Sequence, residues 1–204
     1  MVHPPTYNLL KSDIMNQKET KQFLLEKLYE PYKKCLSCPL ANLGRQAVIF
    51  GEGNPNAQLM FIGEAPGQEE DNQGKPFVGR SGKLLTEILT SLNINRKDVF
   101  ITNSVKCRPP QNRKPTPLET KTCKDILLIN QINIIKPKVI CTLGSAALES
   151  LLEESIKISK KRGEPIFFNK TILIPTYHPA YALRSPKMID VIKNDIQLAY
   201  SYCK

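Results

Sequence analysis

Leu59-Met60-Phe61-Ile62, running into Gly63-Glu64-Ala65-Pro66-Gly67-Gln68-Glu69-Glu70-Asp71-Asn72-Gln73-Gly74-Lys75-Pro76-Phe77-Val78-Gly79-Arg80-Ser81-Gly82, is the stretch that decides the fold. An apolar run of this length closed by glycine reads as a short buried strand. The helical apolar spacing that begins at Lys83-Leu84-Leu85 closes the loop on its far side. A long loop at the carboxyl end of such a strand lies on the edge where open α/β sheets hold ligands. From Gly63 to Gly82 it gathers four acidic groups, five glycines and one phenylalanine. A merely solvated connector has no need of that composition, so the loop is a candidate active site.

Working outward, the same punctuation recurs. Val99-Phe100-Ile101, Val139-Ile140-Cys141-Thr142-Leu143 and Thr171-Ile172-Leu173-Ile174-Pro175 read as further buried strands. Helical spacing covers Lys18 to Tyr32, Leu84 to Leu92, Leu118 to Asn133, a segment opened by Gly144-Ser145 that runs to Leu152, and Pro186 to Tyr202. Strands alternating with helices predict an α/β fold, three layers α/β/α around a central, mainly parallel four-stranded sheet. Residues 1–16 show no periodicity and read as a flexible arm, and residues 17–204 as a single domain. The basic run Lys157 to Arg162 reads as a solvated loop.

Composition narrows the classes. Twenty-nine basic against 19 acidic residues give a formal charge of +10, which favours polyanionic partners such as nucleic acid. No apolar run reaches the ~18 residues of a membrane span and the N-terminus lacks a signal-peptide core, so an intracellular, non-membrane protein is expected. In that compartment six cysteines argue for metal ligation over disulfides. Cys35 and Cys38 stand at C-x-x-C spacing, with Cys107 and Cys123 far along the chain. Four thiolates suit an iron–sulfur cluster or a zinc ion, and spacing leaves both open. Cys141, within a strand, reads as core, and Cys203 as a bystander.

A second constellation follows the strands: Glu64, Glu70 and Phe77, then Asn103, then His178. A phenylalanine offers a stacking face, an asparagine amide a paired donor and acceptor for a planar ring edge, and a histidine a donor to a developing anion. Gly79-Arg80-Ser81-Gly82 and Gly144-Ser145 open helices whose amide termini suit phosphates, although serine and glycine are also ordinary caps. Lys106, Arg108, Arg113 and Arg184 on neighbouring loops predict a basic rim.

Together these motifs resemble the family 4, iron–sulfur uracil-DNA glycosylases. The pieces are Cys35-x-x-Cys38, Gly63-Glu64-Ala65-Pro66-Gly67 with Pro76-Phe77-Val78-Gly79, Thr102-Asn103-Ser104-Val105-Lys106-Cys107-Arg108-Pro109-Pro110, Cys123, Leu143-Gly144-Ser145 and His178-Pro179-Ala180. The resemblance implies a [4Fe–4S] cluster on Cys35, Cys38, Cys107 and Cys123. It implies monofunctional hydrolysis of the N-glycosidic bond of uracil in single- or double-stranded DNA, leaving an abasic site for base excision repair. Phe77 would stack on the extruded uracil, Asn103 read its amide edge, and backbone near Glu64 and Ala65 complete the pocket. Glu70 would lie against the C5 side, and His178 would donate to O2. Ala65 stands where the best-studied relatives in the superfamily carry an aspartate, so Glu64, Glu70 and Asn112 are the candidates for positioning water. Ser81, Arg108, Arg113, Ser145 and Arg184 would meet the DNA backbone, and Leu183 or Tyr181 would fill the space the base leaves. The loop Cys107 to Arg113 has no histidine, so covalent trapping of the DNA is not expected. Gln22, Leu25, Leu28 and Tyr29 loosely approximate a sliding-clamp peptide, which ordinary amphipathic packing explains better. A monomer is expected.

Overall fold

The computed structural model describes residues 20–204; the arm expected at residues 1–16 lies outside them. Four parallel strands form the centre of the sheet: β2 (Leu59–Gly63), β3 (Phe100–Asn103), β4 (Val139–Leu143) and β6 (Thr171–Thr176). These are the four strands expected from the sequence. Two short antiparallel edges, β1 (Glu52–Gly53) and β5 (Ile166–Phe168), widen the sheet to the order β1-β3-β2-β4-β6-β5. Strands of two and three residues carry too little pattern to be read from sequence. The β5 to β6 hairpin turns through Asn169, at φ 53°, a conformation that asparagine tolerates.

Alternation along β2 separates the two cores. Leu59 and Phe61 face one layer with Ile101, Cys141 and Ile174, beneath α3 (Arg80–Ser91) and α9 (Met188–Ser201). Met60 and Ile62 face the other with Ile140 and Leu173, beneath α1 (Lys21–Tyr29), α5 (Ile129–Ile135) and α6 (Ser145–Leu152). The expected α/β/α layering follows from this burial on both faces.

The long helix expected from Leu118 to Asn133 is interrupted. It runs as α4 (Pro117–Cys123), then a π-helical stretch over Lys124–Leu128, then α5, ending where Lys136 turns left-handed before Pro137. Such wide turns gather at functional sites, and this one begins directly after Cys123. Two other readings change. The loop after β2 contains a one-and-a-half-turn helix, α2 (Gln68–Gln73), whose acidic first turn suits its N-terminus. The basic run is not a free loop: it holds α7 (Ile158–Lys161), and Arg162 donates from Nε to buried Asp195 at 2.9 Å. At the amino end, Leu25 is buried, Tyr29 stacks on Phe50 at 4.7 Å, and its hydroxyl donates to the Val48 carbonyl at 2.8 Å, so that helix face is used in packing.

Candidate active site

The chain leaves β2 toward β3 on one side and returns to β4 on the other, so the winding direction reverses beside β2. Ligands in open α/β sheets sit outside the carboxyl ends of strands at such a reversal. A crevice of about 700 Å³ occupies that place. Glu64, Ala65, Glu70 and Phe77 line it from the β2 loop, and Asn103 from the end of β3. Asn112 and Arg113 border it from the following loop, Ser81 from α3, and His178 with Arg184 from the segment after β6. Ten residues singled out from the sequence therefore meet in one space.

Phe77 is 5% exposed and adopts φ 52°, an unusual left-handed backbone for a bulky residue. Two glycines permit it. A methyl group on Gly82 would run into the Phe77 backbone, with its Cα only 2.6 Å away, so α3 can lie directly against this residue only because position 82 has no side chain. A methyl group on Gly63 would stand 2.6 Å from Phe77 Cζ and press still harder on the Asn103 amide oxygen. Gly63 is thus the floor on which ring and amide converge. The Phe77 and His178 rings lie 5.8 Å apart between centroids, tilted by 30°.

Asn103 is 2% exposed, and its Oδ1 is buried without a partner. Leaving an amide acceptor unpaired in the interior costs on the order of 1–3 kcal/mol. The fold tolerates this at the one place where the side chain faces the crevice, which marks the amide for a ligand.

Glu70 lines the crevice with its carboxylate committed to the backbone. Its carboxylate accepts the backbone N–H groups of Gly67 at 3.1 Å, Val78 at 3.0 Å and Gly79 at 2.8 Å. Both oxygens are engaged in clamping the loop shut around Phe77, and the side chain is 7% exposed. Glu64 is the contrasting carboxylate. Its main chain is fixed by Val105 N–H donating to its carbonyl at 3.0 Å. Among the described residues no donor is bonded to its carboxylate, and burial raises its pKa above the ordinary value, with Lys114 opposing and Glu149 adding to the rise. Asn112 is exposed and accepts from Arg108 Nε at 2.8 Å.

His178 caps α8 (Pro179–Ala182), its Nδ1 accepting the Ala180 N–H at 3.1 Å. That bond assigns the ring proton to Nε2. Desolvation lowers the pKa to about 4, with Glu70 pulling up and Arg184 pushing down. The ring is therefore neutral at physiological pH and presents one N–H donor. Gly144, at φ 92°, opens the turn into α6 beside His178, and a methyl group there would stand 3.2 Å from the His178 Cβ.

The basic rim is partly committed elsewhere. Arg113 forms a two-pronged pair with Glu119, at 2.8 and 2.7 Å, which in turn accepts the Thr116 N–H at the start of α4. Arg184 is exposed. Arg108, Ser145 and Leu183 do not line the crevice; Leu183 and Tyr181 are exposed, at 37% and 41%. Lys114 does line it, paired with Glu149 at 3.3 Å, and was missed from the sequence. Its only signal was adjacency to Arg113.

Behind Asn103, Cys35, Cys38, Cys107 and Cys123 border one small enclosed cavity walled by Val48, Val105, Ile126 and Leu127. All six cysteines are free thiols. Burial pushes Cys107 up to about 12, against Arg45, and Cys123 up to about 11, against Lys106. The Lys106 N–H donates to Cys123 Sγ at 3.2 Å. Among the described residues no three His, Cys, Asp or Glu side chains are grouped so as to hold a single metal ion; four thiols around one apolar cavity, with an N–H···S bond at Cys123, suit a larger group such as an iron–sulfur cluster.

Comparison with known proteins agrees with this geometry. The family model of the uracil DNA glycosylase superfamily matches residues 50–199. A type-4 uracil-DNA glycosylase of Thermotoga maritima is 47% identical, over 91% of this chain and 97% of its own. A type-4 enzyme of Saccharolobus solfataricus is 44% identical over 85% and 83%, and one of Archaeoglobus fulgidus 38% over 88% and 94%. The chain belongs to the type-4 uracil-DNA glycosylases of the uracil-DNA glycosylase superfamily.

Proposed function

We propose that this protein removes uracil from DNA by hydrolysing its N-glycosidic bond, and that the crevice at the winding reversal is where it does so. The observation that carries the site assignment is the unpartnered Asn103 amide, buried beside the Phe77 ring and opposite the His178 donor. A uracil lying on Phe77 presents N3–H and O4 to an amide that accepts from one and donates to the other. Cytosine presents the reverse pattern and would leave both groups unpaired, which is how a site built to pair a base rejects its analogue. Base and sugar must leave the duplex first, at a few kcal/mol, least for a mispaired base.

In the reaction the C1′–N1 bond breaks and its electron pair passes to the uracil ring, where charge collects on O2. His178 meets that oxygen with Nε2–H. A neutral donor suits this work, since it needs no reorganisation and one well-aimed bond of this kind supplies about 3–4 kcal/mol. The oxygen of water bonds to C1′ and a water proton goes to a base. Of the three candidates, Glu64 is best suited, with an uncommitted carboxylate of raised pKa. Glu70 spends its oxygens on backbone donors, and Asn112 on Arg108.

We assign Cys35, Cys38, Cys107 and Cys123 as ligands of a [4Fe–4S] cluster that braces the segments carrying them. Ser81 in the first turn of α3, Arg184, and Lys114 are placed to meet phosphates, and Tyr181 or Leu183 to fill the vacated stack. Arg113 serves first as a brace for α4. No described helix is long and apolar enough to cross a membrane; we place the protein with DNA inside the cell, as a monomer. The packing of Leu25 and Tyr29 supports the ordinary reading of α1 over a clamp-binding one. The test is incubation with labelled single- and double-stranded oligonucleotides carrying one uracil, followed by alkali. Strand scission at the uracil is expected, lost in His178→Ala and Asn103→Ala with iron content retained. No scission with the wild-type protein at any temperature would overturn the reading.

A further inference from the structure

Lys106 is 0% exposed, the only lysine among the described residues buried to that extent. It does not line the crevice, and among the described residues no carboxylate pairs with it. Nζ donates to Thr102 Oγ1 at 2.6 Å, to the Asn103 main-chain carbonyl at 2.7 Å and to Gln131 Oε1 at 2.6 Å. The partners' own bonds fix these directions. The Thr102 hydroxyl spends its one proton on the Phe50 carbonyl at 2.8 Å, so toward Lys106 it can only accept. The Gln131 amide nitrogen donates to the same carbonyl at 2.8 Å, so Oε1 is the atom that faces Lys106. Three acceptors thus match the three protons of an ammonium group. The main chain of Lys106 is held as firmly, its carbonyl accepting from Ile49 N–H at 2.7 Å.

An amine buried among neutral oxygens is an expensive arrangement: burial pushes its pKa down to about 7, with the Cys123 and Cys107 thiols opposing. Packing does not require it, because a methionine would fill the same volume without burying charge. What the ammonium supplies is a rigid grip on residue 103. Asn103 is the last residue of β3, where Gly63 lies opposite and the ladder is about to end. Its side chain faces the crevice with Oδ1 unpartnered, so no side-chain bond to that oxygen fixes the amide before the base arrives. Gly63 limits the amide from one side only.

We propose that Lys106 is the positioning residue for base recognition: gripping the Asn103 carbonyl from behind, it holds the Asn103 amide in register with the base on Phe77. This rests on the assignment of Asn103 to the uracil edge.

Lys106→Met in the cluster-loaded enzyme removes the grip and keeps the bulk. Inhibition by free uracil reports pocket recognition without DNA, and single-turnover excision reports the chemistry, both measured well below each variant's melting temperature. The expected result is at least a tenfold weaker uracil inhibition and a similar fall in excision rate, with DNA affinity within twofold and visible iron–sulfur absorbance per chain unchanged. Adding Lys106→Met to Asn103→Ala should cause little further loss, because Lys106 acts only through the amide that Asn103→Ala has already removed. Wild-type uracil inhibition in Lys106→Met, or losses that multiply in full in the double variant, would overturn the proposal. If Lys106→Met does not fold, Gln131→Met decides: it removes one acceptor, and a weakened uracil inhibition supports the grip while an unchanged one refutes it. Failure of the underlying reading shows separately, as wild-type enzyme that neither excises nor binds uracil.

Discussion

Exchanging each crevice glutamate for glutamine should separate a carboxylate that braces from one that reacts. In Glu70→Gln, one amide oxygen can still accept from Val78 and Gly79, but the new NH₂ faces the Gly67 N–H, donor against donor. One charge-assisted bond is lost and two become neutral. With bonds to charged groups at about 1.5–3 kcal/mol and neutral ones at about 1, the sum is roughly 2.5 kcal/mol at the least. At 7% exposure little solvent is present to soften it. For a chain of this size that corresponds to a fall in melting temperature of at least about 5 °C. Activity measured well below the melt should stay within about tenfold, because the loop still closes on Phe77 and no proton acceptor has been removed. Glu64→Gln should behave in the opposite way. Its carboxylate has no bonded donor among the described residues, so melting should shift by no more than a degree or two, whereas loss of a general base lowers the rate about 10²–10⁴-fold. Differential scanning calorimetry and single-turnover excision on the same preparations read both axes. If Glu70→Gln melts like wild type yet loses a hundredfold in rate, and Glu64→Gln keeps its rate, the two roles are reversed and the reasoning fails.

Gly63→Ala places a methyl group 2.6 Å from Phe77 Cζ, so the ring or the Asn103 amide must move; excision should fall at least a hundredfold while melting drops by the equivalent of about 1–3 kcal/mol, and an active Gly63→Ala enzyme would show that ring and amide do not form the pocket. Arg184→Ala should reduce the salt slope of DNA binding by about one unit with unchanged melting, whereas Arg113→Ala should mainly lower melting by freeing Glu119; equal salt slopes in both would contradict this division. His178, at about 4 in the folded chain and near 6.5 unfolded, is neutral across physiological pH, so the rate profile should show no histidine step between pH 6 and 7. Its folded pKa is the lower one, so its contribution to stability is complete above pH 6.5 and is lost as pH falls toward 4; the acid limb of the rate should lie above the ordinary carboxylate range and vanish in Glu64→Gln. Cys107→Ser should abolish the iron–sulfur absorbance and lower melting, and full stability without iron would remove the bracing role.

Much of this site is legible in the sequence because its parts sit at predictable points of the winding. Gly63, Asn103 and His178 each lie at or just beyond the end of a strand whose apolar run is unmistakable. Their convergence follows from topology once the strands are known. What is not legible is the direction in which a charged side chain turns. Glu64 and Glu70 are alike on paper, yet six residues along the chain leave one half-buried with no bonded donor among the described residues and set the other at the centre of a loop whose amides close around it. Arg113 and Arg162 read as free cations, and Glu119 and Asp195, distant or unremarked in the sequence, claim them. The Arg162–Asp195 pair spans 33 residues and depends on tertiary placement that no local pattern encodes, whereas Arg113 is claimed by the capping glutamate of the next helix.

The placement of the thiols has a mechanical logic that the same hydrogen bonds reveal. A base-reading pocket needs two rigid plates, the Phe77 loop and the Asn103 strand end, yet both stand at the edge of the sheet where the ladder runs out. Each is tied back to the segments that carry cysteines. Asp71, next to Glu70, accepts the Gln46 and Ala47 N–H groups at 2.9 and 3.2 Å, and the adjacent Arg45 donates to the Cys35 carbonyl. Lys106 grips Asn103 by its side chain while its main-chain N–H donates to Cys123 Sγ. Ordering four distant thiols around one centre therefore constrains the loop and the strand end from behind, without any ligand entering the crevice. A cluster held there, as we assign it, would in this way serve a hydrolysis that transfers no electrons.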